Sequence, residues 1–355
     1  MGIDRSQAAH PPGNGAEASM INGKNARAAE FPWQVALVVG GPGSRSRSAR
    51  KRYFCSGSLI ARDLVITAAH CVAEFSQRQI GWIEAIAGRT WLSNKSGSSA
   101  FVKSRLMPRN RNNRFKYSSS KSSPAWDVAL LKLKRRLPVE PIELAGDSEA
   151  DLLSTGTLVK ASGWGVAKPG NRIGTNNLRV ANQVILPDPV CRRDNGRSYQ
   201  PKTMICIGGP SGNTSTCFGD SGGPMIARLD VGWRLIGVTS FGDPYCSPNL
   251  PSVDARVAGR AIRAWVRERT MRASGVDPVG FGGVVPQKRT WCRVPDLIGR
   301  TVGQARAALS RAGCRLGRTR ADFYGYGRRG RVSASSLPQG WLTPPGKRIR
   351  LWVNR

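Results

Sequence analysis

The run Gly219-Asp220-Ser221-Gly222-Gly223-Pro224 is the stretch on which this chain turns. A serine hydroxyl is a weak nucleophile near neutral pH; it needs a base to take its proton and a third group to orient that base. The chain has two histidines. His10 sits in a polar tail beside Pro11 and Pro12, so His70, in Thr67-Ala68-Ala69-His70-Cys71, is the base if this chemistry is done at all. Asp127, opening Asp127-Val128-Ala129-Leu130-Leu131-Lys132-Leu133, is the candidate orienting acid.

Working outward, residues 21 to about 270 are rich in short β-like runs: Trp33 to Val39, Ser58-Leu59-Ile60, Leu64 to Thr67, Val128 to Leu131 and Trp233 to Val238. Gly, Pro, Asn and Ser clusters punctuate them, the pattern of an all-β sandwich or barrel. A helical period follows through Val257, Ala261, Ile262, Trp265 and Val266. The stretch from 271 to 291 reads as a linker, with Gly275 to Pro286 rich in Gly, Pro and Val. A second pattern runs from Cys292 to Arg355, with a helix expected over Thr301 to Ala312 and strands at Val332-Ser333-Ala334 and Ile349 to Val353.

Taken in order, His70, Asp127 and Ser221, with Phe31-Pro32-Trp33-Gln34-Val35, Ser56 to Ile60, Gly163-Trp164-Gly165 and Ser240-Phe241-Gly242, resemble the trypsin/chymotrypsin family of serine proteases over residues 21 to about 270. The resemblance implies an all-β fold of two six-stranded antiparallel β-barrels with a C-terminal helix, and a cleft between the barrels. It implies that Ser221 attacks a peptide carbonyl, that His70 shuttles the proton, that Asp127 orients His70 and that the amides of Gly219 and Ser221 hold the oxyanion. It also implies the pairs Cys55–Cys71, Cys191–Cys206 and Cys217–Cys246, and a support role for Ser240 beside the acid. Residues 1–20 read as a pro-segment or tail. Ile21-Asn22-Gly23 matches the family's mature N-terminus, so cleavage after Met20 would free an ammonium at Ile21 to pair with Asp220. Asn22 and Met20 depart from the usual pattern, and the activating protease is unassigned. In the specificity pocket the resemblance places Ser215 at the base and Gly242 and Ser252 on the walls. A neutral Ser215 favours large apolar side chains over basic ones; Asp254, at a position usually held by Tyr, offers a negative charge from another wall.

The segment Val294-Pro295-Asp296-Leu297-Ile298-Gly299, with the later helix and Pro345-Gly346, resembles a single PASTA domain, a small α+β module. Cys292 and Cys314 would staple its first strand to the helix end. Modules of this family include peptidoglycan binders and plain spacers. Trp291, Trp341, Tyr324 and Tyr326 are candidates for stacking on sugars, with at least one Trp expected in the core instead.

The formal net charge is +33. Arg45, Arg47, Arg50, Lys51 and Arg52 form one basic loop; Lys103, Arg105, Arg109, Arg111, Arg114, Lys116 and Lys121 form a second basic region. The stretch 292–355 holds fourteen Lys and Arg against Asp296 and Asp322. Such a field should draw the chain to polyanions such as anionic wall polymers or membrane surfaces, with nucleic acid only by non-specific charge, and peptidoglycan or an anionic wall polymer is the expected partner of the C-terminal module. Eight cysteines without a CxxC spacing point to disulfides and an oxidising compartment. No metal or cofactor is expected: zinc spacing is missing, and Trp91 to Arg114 carries no acid for calcium. No run reaches the roughly 18–20 apolar residues of a membrane span. Residues 1–20 lack the apolar core of a signal peptide, so a secreted or cell-wall-associated location rests on the cysteines. Two other readings compete: a protease fold kept only for binding, which usually loses a triad member, and a polyanion binder that works through its basic loops.

Overall fold

Runs of Val, Ile and Leu favour a pleated surface buried against a second layer, and these runs are the strands of both barrels. A computed structural model describes residues 20–41, 48–110, 113–115, 125–168, 174–209, 213–280, 292–322, 328–337, 339–343 and 347–355. Most of the tail, the linker residues 281–291 with Trp291, the pair Tyr324 and Tyr326, the Pro345-Gly346 dipeptide and the basic residues Arg45, Arg47, Arg111, Lys116 and Lys121 lie outside the described residues.

The first barrel consists of β1 (Gln34–Val39), β2 (Tyr53–Ala61), β3 (Leu64–Thr67), β4 (Ile83–Ala87), β5 (Ser98–Leu106) and β6 (Ala129–Leu133), closed in the order β1-β2-β3-β6-β5-β4. The second consists of β7 (Leu158–Gly163), β8 (Arg179–Ile185), β9 (Met204–Gly208), β10 (Pro224–Leu229), β11 (Gly232–Phe241) and β12 (Ser252–Ala255). Its order is β8-β7-β10-β11-β12-β9, closed by the β8–β9 pairing, with Lys24–Asn25 added at β8. The barrels are thus two closed, six-stranded antiparallel sheets, as the resemblance implied. Each hides a continuous apolar core: Val35, Leu37, Leu59 and Ile66 in the first, Val159, Ala161, Ile205 and Ile236 in the second, all 2% exposed or less.

Between β8 and β9 lies α1 (Asp188–Asn195), and α2 (Arg260–Ser274) follows the second barrel. The chain stays on the barrels beyond this helix: Leu144 bridges Val279, and Gly280 N donates to Leu144 O at 2.9 Å. No described helix is long and apolar enough to cross a membrane.

The C-terminal module contains β13 (Cys292–Arg293), α3 (Val302–Arg311), β14 (Arg315–Asp322), β15 (Val332–Ser335), β16 (Leu342–Thr343) and β17 (Arg348–Asn354). Thr301 and Gln304 form a reciprocal capping box that starts α3. The sheet order is β14-β17-β15, with β14 parallel and β15 antiparallel to β17. The four disulfides of the structure are Cys55–Cys71, Cys191–Cys206, Cys217–Cys246 and Cys292–Cys314.

The module packs directly on the second barrel. One apolar cluster joins Leu186, Val190 and Met204 of the barrel to Val294, Leu309, Trp341 and Leu351 of the module. Trp341 is 0% exposed, so it does not offer its ring to a sugar. Its indole lies over Gly208, where an added Cβ would come within 3.2 Å of the ring and 2.6 Å of Leu186 Cδ1. A Cβ at this position would crowd the indole and clash with Leu186.

Candidate active site

The pairing of β3 with β6, which sets Thr67 opposite Ala129, brings the segments after β3 and before β6 to one end of the first barrel. His70 and Asp127 meet there. Asp127 is 0% exposed and accepts three hydrogen bonds. Its Oδ1 takes the His70 amide at 2.8 Å, and its Oδ2 takes His70 Nδ1 at 2.7 Å and Ser240 Oγ at 2.5 Å. The backbone is bent to deliver this carboxylate: Trp126 has φ +61°, a conformation rare for a bulky residue and commonest at functional sites. Burial alone would push the His70 pKa down, but the charge and hydrogen bond of Asp127 outweigh it and raise it above the ordinary 6.5.

Ser221 comes from the second barrel, in the turn that precedes β10. Its carbonyl accepts from Ser56 N of β2 at 2.8 Å, which ties the turn to the first barrel. His70, Asp127, Ser221 and Ser240 line one cleft of about 380 Å³.

The peptide units around Ser221 are held through their carbonyls. Phe218 O accepts from Val166 N at 2.8 Å, Gly219 O from the Tyr53 hydroxyl at 2.5 Å, and Asp220 O from Gly223 N at 2.9 Å. The amides of Gly219 and Ser221 have no acceptor among the described residues, so both remain available to an anion. Gly219 has φ +93°, which this arrangement requires and which a residue with a Cβ would adopt only with strain. No local motif marks Tyr53 in the sequence, and it reaches Gly219 because β2 begins beside the second barrel. Its hydroxyl also bonds Ser56 Oγ at 2.7 Å, and burial, then the charge of Asp220, push its pKa up.

Such a site, a buried acid on an imidazole beside a serine flanked by free amides, has known relatives. The Trypsin family model matches residues 20–266, and the PASTA domain model matches 293–355. The chain belongs to the trypsin family of serine proteases. A trypsin of Saccharopolyspora erythraea is 33% identical over 238 residues, 67% of this chain and 93% of that protein. A trypsin-like protease of Streptomyces glaucescens is 31% identical over 244 residues, 68% of this chain and 80% of that one. Neuropsin, a serine protease expressed in the limbic system of mouse brain, shares the fold with a TM-score of 0.58 at 24% identity, over 70% of this chain and 99% of its own. The chain is a trypsin-family enzyme carrying a C-terminal PASTA domain.

Against the family frame, the other expected residues fall in two places. Ser240 and Gly242 line the cleft with Thr216, Phe218, Phe241 and Pro244. Ser215, Ser252 and Asp254 are not among the lining residues; they are 6%, 3% and 0% exposed. Ser215 Oγ is satisfied by Thr216 O at 2.9 Å. Ser252 Oγ and both oxygens of Asp254 have no partner among the described residues, and burial pushes the Asp254 carboxyl up to about 8.

Asp220 is 0% exposed, with Oδ1 on Gly165 N at 2.9 Å and Oδ2 on Cys217 N at 3.0 Å. No cation pairs with it among the described residues, and burial, opposed by those two amides, raises its pKa to about 7. Ile21 is buried in a small cluster with Val166, Cys217 and Cys246, next to the two segments that donate to Asp220, and it bridges Ser215. Met20 is 0% exposed with φ +39°.

Proposed function

We propose that this chain is a secreted serine endopeptidase that cleaves polypeptides through an acyl-enzyme formed on Ser221. His70 takes the serine proton and returns it to the leaving amine. Asp127 holds the tautomer that exposes Nε2 and stabilises the imidazolium, and Ser240 keeps Asp127 in place. The Gly219 and Ser221 amides receive the oxyanion; one such donor is worth about 10²–10³ in rate. The observation that carries this is the pair of unused amides beside a serine that shares its cleft with the His70–Asp127 couple. A site kept only for binding has no need of that combination.

The cleft walls support large apolar side chains at the cleavage site. Phe218, Phe241, Pro244 and the Cys217–Cys246 disulfide supply them. Asp254, fully buried with its pKa raised by that burial, is not among the residues that line the cleft. Activation is read as cleavage after Met20. The new Ile21 ammonium would neutralise the buried Asp220 carboxylate; an uncompensated buried charge costs about 3–5 kcal/mol. The burial of Met20 means that its peptide bond must open locally before a protease reaches it. The PASTA domain is read as localising the enzyme to the cell wall.

The test is intact-mass spectrometry before and after a fluorophosphonate probe, with Ser221→Ala as control. A start at Ile21 and one adduct that the variant lacks is the expected result. A start at Ile21 with no adduct defeats the catalytic reading. Because Asp127 raises the His70 pKa, the rate on a neutral peptide should rise with pH through a midpoint above 6.5.

A further inference from the structure

The three-stranded sheet of the module has two faces of opposite character. On β17, Ile349 and Leu351 are 0% exposed and share an apolar cluster with Ala305 and Leu309 of α3. Strand alternation turns Arg348, Arg350 and Trp352 to the other face. The register extends that face: Arg315 of β14 lies opposite Arg348 and Arg320 opposite Trp352, with Arg318 in the irregular stretch between them. Ala334 of β15 flanks Trp352 on its other side. All five arginines are exposed and Trp352 is half-buried. None of the five guanidinium groups has a hydrogen-bond or ion-pair partner among the described residues. The one acid at the end of β14, Asp322, accepts from Ser333 Oγ at 2.6 Å.

Like charges directly opposite on neighbouring strands are destabilising. The Arg315–Arg348 pair is therefore a cost of the free protein that a bridging anion removes. Guanidinium groups match phosphate in a bidentate fork. Along β17 the arginines recur about every 6.6 Å, and adjacent strands lie about 4.8 Å apart. A grid of that kind fits a polymer with a charge in every repeat better than one small anion. Sheets that bind single-stranded nucleic acid offer successive aromatic platforms, one for each stacked base. Here a single tryptophan stands among five arginines, so bases are not what the face selects.

We propose that this face binds a linear phosphodiester polymer of the cell surface, of the poly(glycerol phosphate) kind, with its phosphates on Arg315, Arg318, Arg320, Arg348 and Arg350. The proposal rests on the wall-localisation reading and gives it a site and a ligand chemistry.

The experiment titrates full-length protein carrying Ser221→Ala, which prevents self-digestion, with soluble poly(glycerol phosphate) at increasing salt. Adding Arg348→Ser and Arg350→Ser should weaken binding about tenfold or more and make the slope of log K against log salt shallower by roughly 1.4, about 0.7 for each lost contact. Arg306→Ser with Arg311→Ser removes the same charge from α3 and should leave the affinity nearly unchanged. Equal loss in both pairs, or no loss in the first, overturns the site. Single-stranded DNA of equal charge that binds as tightly as the polymer overturns the occupant. Sedimentation with whole wall sacculi, before and after extraction of their phosphodiester polymers, separates this proposal from the broader one. Retention that survives both extraction and the arginine changes overturns the site and leaves wall localisation standing. Sacculi that retain nothing overturn wall localisation, while the soluble titration still decides the site.

Discussion

The protease domain and the PASTA domain treat charge in opposite ways. In the barrels, several basic side chains are answered by acids. Arg234 lies between Glu149 and Glu143, each at 3.1 Å; Lys132 meets Asp63 at 2.8 Å; Arg52 meets Glu84 at 3.2 Å. Even Arg105, in the second basic region, is spent inside the fold, where it donates to the carbonyls of Val72, Ala73 and Phe75. In the module, five arginines share one exposed face with no carboxylate partner among the described residues. Basic side chains thus act as internal ties at these places in the barrels and as an open face on the module.

Asp127 accepts three hydrogen bonds at the centre of the catalytic network, and removing its charge should have the largest effect. Asp127→Asn keeps the shape but favours the wrong imidazole tautomer, and kcat should fall about 10⁴-fold. A fall of less than tenfold in a steady-state assay would show that the acid is dispensable and the buried network merely structural.

Next comes the joint between the two regions. Trp341→Ala empties a fully buried site and should cost about 3–5 kcal/mol. Thermal unfolding should show the loss, together with faster proteolysis at the domain boundary. Trp341→Phe keeps most of the packing and removes an indole N–H that has no partner among the described residues, so it should cost far less. If the alanine variant unfolds like the parent, the two domains are not coupled through this contact.

Asp254 is the exception within the barrels: a buried acid without a partner among the described residues. Its folded pKa is raised to about 8 from an ordinary 3.8, so between those values the native state holds a proton that the unfolded state has released. Stability must then fall as pH rises through that window, by up to roughly 1.4 kcal/mol for each pH unit. Chemical denaturation at pH 5 and pH 8 should show Asp254→Asn losing less than the parent across the same step. An identical pH dependence in both would mean that Asp254 finds a partner in solution.

The smallest effect should come from the open field. Arg348→Ser and Arg350→Ser sit on an exposed face and should each change stability by no more than about 0.5 kcal/mol. A melting temperature lowered as far as by Trp341→Ala would place these arginines among the internal ties instead.

Much of this molecule is legible in its sequence, for a physical reason. Strands such as Leu64–Thr67 are encoded by contiguous apolar residues, and the α3 capping box by two residues three apart. The catalytic candidates lie in short motifs because the turns that expose His70 and Ser221 are local. Tyr53, Trp126 and Trp341 were not legible as functional or joining residues. Tyr53 depends on a contact 166 positions away and Trp126 on a backbone twist that no residue type announces. Trp341 looks like a ligand-stacking aromatic until Gly208 of a different domain is seen beneath it. Likewise, that Ser215, Ser252 and Asp254 are buried and do not line the cleft is a matter of how the second barrel closes, which spacing along the chain does not express.

The seat of Trp341 on Gly208 has a consequence for reach. A module attached only by a flexible tether would let the enzyme sweep a volume around its anchor and cut any chain inside it. A module seated on the barrel wall turns with the barrel. Whatever surface holds the module then also sets the direction in which the cleft faces and its height above that surface. Substrates would be sorted by whether a segment of them extends to that height, before the cleft has examined a single side chain.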